Sequence, residues 1–218
     1  MLNGSISFFY AEILDEFRLV AFKKLKKYKR YGYLAGGTAL ALQVGHRISY
    51  DFDVFCKKKI TNGLINNCRK DFIIKQVLVN SEDEFTFLTK ENIKITFLYY
   101  PFVFKGKLID SKIGLPLLNI LNIATTKAYA LNRRGTWRDY IDLYFIMKNG
   151  LANLEEIIKN GQRVYAKLFS PKLFLGQLVY TADLSKEDIK SVNLLSGKIT
   201  AGEIKRFFAG EVKRRVGK

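Results

Sequence analysis

A short run constrains this chain more than any other: Gly36-Gly37-Thr38, an aliphatic stretch Ala39–Leu42, then Asp51-Phe52-Asp53. Around the two aspartates, Tyr50, Phe52 and Val54 alternate with Asp51 and Asp53, which is the period of a strand. Residues two apart on a strand share a face, so the spacing predicts two carboxylates on one side of a sheet, on a strand Tyr50–Phe55. Such a pair suits hard divalent cations such as Mg²⁺, which take oxygen ligands and hold phosphates. The Gly-Gly-Thr turn predicts entry into a short helix, Thr38–Val44, whose first backbone N–H groups suit a phosphate. An isolated Asp-x-Asp often marks only an exposed strand. The glycine turn ahead of it is what points to metal and phosphate chemistry.

Helical spacing of Phe9, Ile13, Phe17, Val20, Leu25 and Tyr28 predicts an amphipathic helix over residues 6–30, broken at Gly32 and followed by a short strand Tyr33–Ala35. Thr61 suits the cap of a helix to Arg69. Three runs rich in β-branched and aromatic residues, Phe72–Val79, Glu84–Leu88 and Ile93–Tyr99, are separated by polar turns and predict a meander. After Pro101 the pattern becomes helical. A helix is expected from Pro116 to Arg133, with Leu118, Leu121, Ala124 and Ala128 on one side, and a second from Thr136 through Met147. Ser170-Pro171 is a cap followed by proline at the first helical position. Ser185…Asp188 and Thr200…Glu203 have capping-box spacing.

The net charge of +17 attracts polyanions. It is concentrated at Lys23, Lys24, Lys26, Lys27, Lys29 and Arg30, and again at Lys205, Arg206, Lys213, Arg214, Arg215 and Lys218. Nucleic-acid contact and simple solvation of helix faces are both open on charge alone. Two cysteines, Cys56 and Cys68, are too few for a disulfide framework, and a single histidine argues against an ordinary zinc site. No apolar run approaches the roughly 18 residues of a membrane span, and Met1–Tyr10 lacks the pattern of a signal peptide. A reduced cytoplasmic setting without a membrane partner is expected.

Gly37-Thr38 followed by Asp51-Phe52-Asp53 resembles the Gly-Ser/Thr…Asp-x-Asp signature of the polymerase-β-like nucleotidyltransferases. The doubled glycine, His46-Arg47 and Ser49 are similar to the AbiEii branch, nucleotidyltransferase toxins of type IV toxin–antitoxin and abortive-infection systems. A second block, Thr126-Lys127-Ala128-Tyr129-Ala130-Leu131 and Arg138-Asp139-Tyr140-Ile141-Asp142-Leu143, resembles that branch's Lys-x-x-Ala-Leu and Arg-Asp-x-x-Asp-Leu motifs. The resemblance spans residues 30–150. It implies an α+β fold: a polymerase-β-like core with a small mixed sheet over residues 1–110, then a helical part over 111–218 carrying the second block.

The resemblance also implies site roles. Asp51 and Asp53 would hold Mg²⁺, two ions in the usual pattern. Gly36, Gly37 and Thr38 would cradle nucleotide phosphates, with Arg47, Ser49, Lys127 and Arg138 as further nucleotide-binding residues. Lys127 would neutralise the triphosphate, where on pattern alone it could be a snorkelling lysine. Asp139 and Asp142 would orient Lys127, touch the base or assist proton transfer. The local alternative is an Arg138–Asp142 pair at i, i+4. Arg133 and Arg134 suit either phosphate binding or a helix end. His46 reads as structural, and Cys56 as a buried small residue. The implied reaction moves NMP from an NTP to an acceptor hydroxyl. An RNA acceptor such as tRNA, and an antitoxin partner, are the most specific expectation. The alternatives are a transferase acting on a protein or small molecule, and a basic nucleic-acid-binding protein with a decayed site. Two departures bear on that choice. The strand expected to carry a third carboxylate offers Lys94 and Thr96 instead, and Asn122 stands where the branch often has an acid, so either the two-metal geometry is incomplete or Asp142 completes it.

Overall fold

The computed structural model describes residues 9–133, 135–180, 192–195, 197 and 199–217. The expected helical start at residues 6–8, Arg134, the Ser185…Asp188 spacing and Lys218 lie outside them. The chain forms two compact units, Met1–Pro101 with Lys107–Leu118, and Phe102–Gly106 with Asn119–Lys218.

The first unit is a five-stranded mixed sheet with helices. In chain order it contains α1 (Glu16–Leu25), β1 (Gly32–Ala35), α2 (Gly36–Val44), β2 (Phe52–Cys56), α3 (Asn62–Asp71), β3 (Ile74–Asn80), β4 (Glu84–Thr89) and β5 (Lys94–Tyr99). The strand order is β1-β2-β5-β4-β3. β2 and β5 run parallel, and the other neighbours are antiparallel. One face is aromatic and aliphatic: Phe52, Val54, Phe85, Phe87, Ile95 and Phe97 are fully buried. Phe22 of α1 stacks on Phe52 with centroids 5.9 Å apart. Tyr28 lies 5.3 Å from Phe97, and Phe72 lies 5.7 Å from Phe87. Because side chains alternate along a strand, this core commits Asp53, Thr96 and Thr86 to the opposite face.

Several expectations hold at the level of single residues. Thr61 accepts from the Leu64 amide (3.3 Å) and caps α3. The three-strand meander forms as β3, β4 and β5. The N-terminal helix differs. It starts at Asp15, whose carboxylate caps the Arg18 amide at 2.8 Å, and single 3₁₀ turns flank it at Ala11–Ile13 and Lys26–Tyr28. Its inward face is Ala21, Phe22 and Leu25, whereas Phe17 and Val20 are 63% and 48% exposed. Gly32 opens β1 rather than breaking a helix. A Cβ there would stand 2.0 Å from the Phe55 carbonyl oxygen, so the β1–β2 approach requires glycine.

The second unit is helical: α4 (Ile120–Leu131), α5 (Trp137–Lys148), α6 (Leu154–Tyr165), α7 (Pro171–Val179) and α8 (Ala201–Val216). Asn119 caps α4 through the Asn122 amide (3.0 Å). The helix therefore starts four residues after Pro116. Residues 116–118 belong to the first unit instead, where the Leu34 amide donates to the Pro116 carbonyl (2.9 Å) and the Leu118 amide to the Leu34 carbonyl (2.8 Å). Ser170 caps α7 and Thr200–Glu203 forms a capping box on α8, as their spacing predicts. Tyr129 stacks on Tyr165 at 3.8 Å between α4 and α6, and Tyr140 meets Phe208 at 6.2 Å between α5 and α8.

The orientation of α1 gives a direct test. Phe22→Ala empties a fully buried site and is expected to cost about 3–5 kcal/mol. Phe17→Ala, on the exposed face, is expected to stay within about 0.5 kcal/mol. Urea denaturation of both variants checks the contrast, and equal losses would contradict the assignment of the inward face.

Candidate active site

In the first unit the glycine turn and the two aspartates come together at one end of β1 and β2. Ala35 pairs with Asp53, so Gly36, the next residue, lies beside the Asp53 carboxylate. Gly36 has φ +68°, the left-handed region, and a Cβ there would stand 2.5 Å from Asp53 Oδ2. Both facts require glycine. α2 starts at this residue. Its cap position is Ala35, which brings no side chain to satisfy the first amides, so the helix entry keeps the character of an anion site.

The residues after the turn hold it from behind. A Cβ at Gly37 would stand 2.4 Å from an Arg47 guanidinium nitrogen and 3.2 Å from Ser49 Oγ. Arg47 is buried, 3% exposed, and donates to the Ile48 carbonyl at 3.1 Å. Thr38 bonds the Asp51 carbonyl, and its hydroxyl lies 2.8 Å from Ser49 Oγ. The carbonyl can only accept, so the Thr38 proton goes there and Ser49 supplies the proton of the second bond. Arg47, Ser49 and Thr38 thus tie the glycine turn to the start of β2. His46 is buried as well.

Asp51 immediately precedes β2, and its carboxylate is about one-third exposed. The parallel register places Thr96 of β5 beside Asp53. Lys94, two residues earlier on β5, brings its ammonium to 3.0 Å from Asp51 Oδ2. Thr86 donates to Glu84 Oε1 (2.6 Å) and lies 3.1 Å from Thr96 Oγ1. The Thr96 hydroxyl therefore has its partner on β4. The Lys94–Asp51 pair escaped the sequence reading; the signal for it is Lys94 two residues before Thr96, which is informative only once β5 is known to run beside β2. The donor set itself, two accessible carboxylates beside a glycine turn, fits a hard divalent cation.

In the second unit Lys127 of α4 is clamped by α5. Its ammonium lies 2.7 Å from Asp139 Oδ1 and 3.0 Å from Asp142 Oδ2. The Asp142 side chain is wholly buried, and those of Lys127 and Asp139 are 13% and 10% exposed. Asp139 also accepts from the Thr136 hydroxyl at 2.7 Å and from its amide at 3.3 Å, so the start of α5 fixes the carboxylate that holds the lysine. This arrangement replaces the local Arg138–Asp142 alternative: Arg138 is exposed and makes no ion pair among the described residues. Of the roles left open for Asp139 and Asp142, orientation of Lys127 has a geometric basis. Asn122 is buried and structural, donating to the Lys105 carbonyl (2.8 Å) and accepting from Asn160 (2.9 Å). Arg133 lies over the Tyr129 ring at 3.7 Å. Burial pushes the Cys56 and Cys68 thiols up to about 12, so neither is a thiolate nucleophile at neutral pH.

Both groups of residues lie within the stretch that matches a family model. The family model of the AbiEii nucleotidyl transferase toxin of type IV toxin–antitoxin systems matches residues 23–192. An uncharacterized protein of Aquifex aeolicus (strain VF5), aq_aa25, is 30% identical over 185 residues, covering 83% of this chain and 86% of that one. The chain belongs to the AbiEii family and is a nucleotidyltransferase of that toxin class. Solved structures share its fold. MenT4, a nucleotidyltransferase toxin from Mycobacterium tuberculosis H37Rv, aligns with TM-score 0.61 at 14% identity over 92% of this chain and 83% of that one. JHP933 from Helicobacter pylori aligns with TM-score 0.57 at 20% identity over 94% of each. Among the described residues no helix is long and apolar enough to cross a membrane.

Removing Lys127 takes its ammonium away from two low-exposure carboxylates. Lys127→Met is expected to cost about 3–5 kcal/mol, as for other broken buried pairs. Adding Asp139→Asn and Asp142→Asn is expected to recover part of the loss. Chemical denaturation of the single and triple variants measures both. A Lys127→Met protein within about 0.5 kcal/mol of wild type would show that the clamp carries no weight in the fold.

Proposed function

We propose that the chain transfers a nucleoside monophosphate from an NTP to an RNA hydroxyl, with tRNA as the acceptor class, and that Mg²⁺ supports the reaction. The observation that carries the reading is the placement of the Asp53 carboxylate directly against Gly36, at the entry of α2. That juxtaposition sets an acid for a divalent cation beside amides for a phosphate. Asp51 and Asp53 would hold the cation. When bound, such an ion offsets charge on the transferred group and lowers the pKa of a hydroxyl nucleophile.

The chain's own residues supply the rest. Gly36 and Gly37 give the phosphates close access to the backbone, Thr38 and Ser49 keep the turn in register with Asp51, and Arg47 supports Gly37 from the buried side. Lys127, oriented by Asp139 and Asp142, is assigned by the family resemblance to neutralising the triphosphate. Arg138, exposed at the start of α5, is assigned to the nucleotide with it. An antitoxin partner follows from the type IV system that the family name describes. Two unpaired thiols suit a reducing cytoplasm.

The RNA part rests on charge. Within the first basic cluster, Lys27 pairs with Asp71 at 2.6 Å, while Lys24 and Lys26 donate to the carbonyls of Asp71 (3.1 Å) and Lys112 (2.8 Å). Lys23 and Lys29 are exposed and make no ion pair among the described residues. They are the better probes of RNA contact, because their removal leaves these ties intact. RNA affinity is expected to fall steeply with salt, with a log–log slope of roughly −0.7 to −0.9 per phosphate neutralised. Lys23→Gln with Lys29→Gln is expected to make that slope shallower. Anisotropy titrations across a salt series check this, and identical slopes would remove the cluster from the RNA surface.

The function itself is tested by incubating the protein with each labelled NTP, Mg²⁺ and total RNA. The reading expects label in an RNA band with release of pyrophosphate. Label found only in protein or in a small molecule would replace the RNA acceptor. No label with any NTP would favour a decayed site.

A further inference from the structure

Lys94 occupies an unusual place for a lysine. The sheet face that carries Asp51 and Asp53 continues onto β5, whose residue beside Asp53 is Thr96. The Thr96 hydroxyl is bonded to Thr86, and the nearest acid on β4, Glu84, accepts from that same Thr86. Among the described residues no cluster of three or more His, Cys, Asp or Glu side chains is arranged to hold a metal. The charge that does reach the two aspartates from β5 is positive: Lys94 Nζ stands 3.0 Å from Asp51 Oδ2.

Folding does not account for this pair. The Lys94 and Asp51 side chains are 40% and 32% exposed, and ion pairs so accessible to water add little to stability. Its electrostatic consequence is larger. Two carboxylates, one ammonium and one divalent cation sum to a single positive charge. Before a nucleotide brings its phosphates, a second divalent cation would raise that sum to three, and like charges at such range repel strongly.

We infer that Lys94 is a built-in counter-cation at Asp51, which makes Asp51 and Asp53 a site for one divalent ion in the nucleotide-free protein. The inference rests on the metal-binding reading above and sharpens it: Lys94 positions Asp51 and weakens the hold on a first ion, while discouraging a second. Lys94 is a positioning residue, since its contact is with the metal ligand.

Mn²⁺ alone serves as the probe, in the full chain without nucleotide, with free Mn²⁺ counted by electron paramagnetic resonance and affinity taken by calorimetry. Wild type is expected to bind one ion, and Asp53→Asn none. Lys94→Gln is expected to bind Mn²⁺ more tightly, on the order of tenfold for the loss of one nearby charge in a water-like dielectric. Lys94→Arg, which keeps the charge, is expected to behave as wild type. Thermal melting confirms that each variant is folded, and Lys94→Met stands in if Lys94→Gln is not. Two ions bound by wild type, or unchanged affinity in Lys94→Gln with binding still lost in Asp53→Asn, would overturn the role of Lys94 and leave the metal site standing. Binding that is equal in wild type and Asp53→Asn, or absent from every variant, would instead overturn the metal reading on which it rests.

Discussion

Strand β2 is pinned from behind. Phe52 and Val54 are fully buried, and Phe22 stacks on Phe52 at 5.9 Å. Because side chains alternate, a one-residue slip would carry carboxylates into the aromatic core and aromatics into solvent. The cost of burying an unpaired carboxylate makes that slip prohibitive. The register of β2 therefore sets where Asp53 points, and the β1–β2 pairing of Ala35 with Asp53 then sets where the glycine turn falls. Gly36 follows Ala35 directly, so hydrophobic packing on one face of the sheet fixes the distance between the Asp53 carboxylate and the glycine-turn backbone on the other.

The second unit solves a related problem with charge instead of packing. Asp142 is wholly buried, and an ionised carboxylate in that position demands a cation. Lys127 meets the demand and Asp139 shares it. Asp139 is itself fixed by Thr136 at the start of α5. A capping interaction worth about 1 kcal/mol in an ordinary helix here also determines the position of a lysine ammonium.

Much of this was legible in the sequence because it is local. The alternation around Asp51 and Asp53, the capping residues Thr61, Ser170 and Thr200, and the three strands β3, β4 and β5 all rest on neighbours a few residues apart. What escaped is nonlocal. Pro116 looks like a helix start, but residues 116–118 bond to Leu34, and only tertiary pairing reveals that. Phe17 and Val20 fit a helical stripe as well as Phe22 does, and the choice of inward face depends on which ring Phe52 presents. Arg138 and Asp142 are ideal local partners, yet the buried aspartate takes a lysine from another helix. Lys94 was visible as the residue on the strand lacking an acid. Its pairing with Asp51 follows from a parallel register between β2 and β5 that no periodicity encodes.

The central claim is that Asp53, held against Gly36, is required for nucleotidyl transfer and not for folding. The most direct measurement is single-turnover transfer of labelled nucleotide to RNA by Asp53→Asn, with Asp71→Asn as a control. Asp71 lies in the same unit and bonds Lys27 and Tyr28 instead of the glycine turn. The account predicts an Asp53→Asn protein that melts as wild type does but transfers no nucleotide, beside a control that retains transfer. A folded Asp53→Asn protein with wild-type transfer would contradict it.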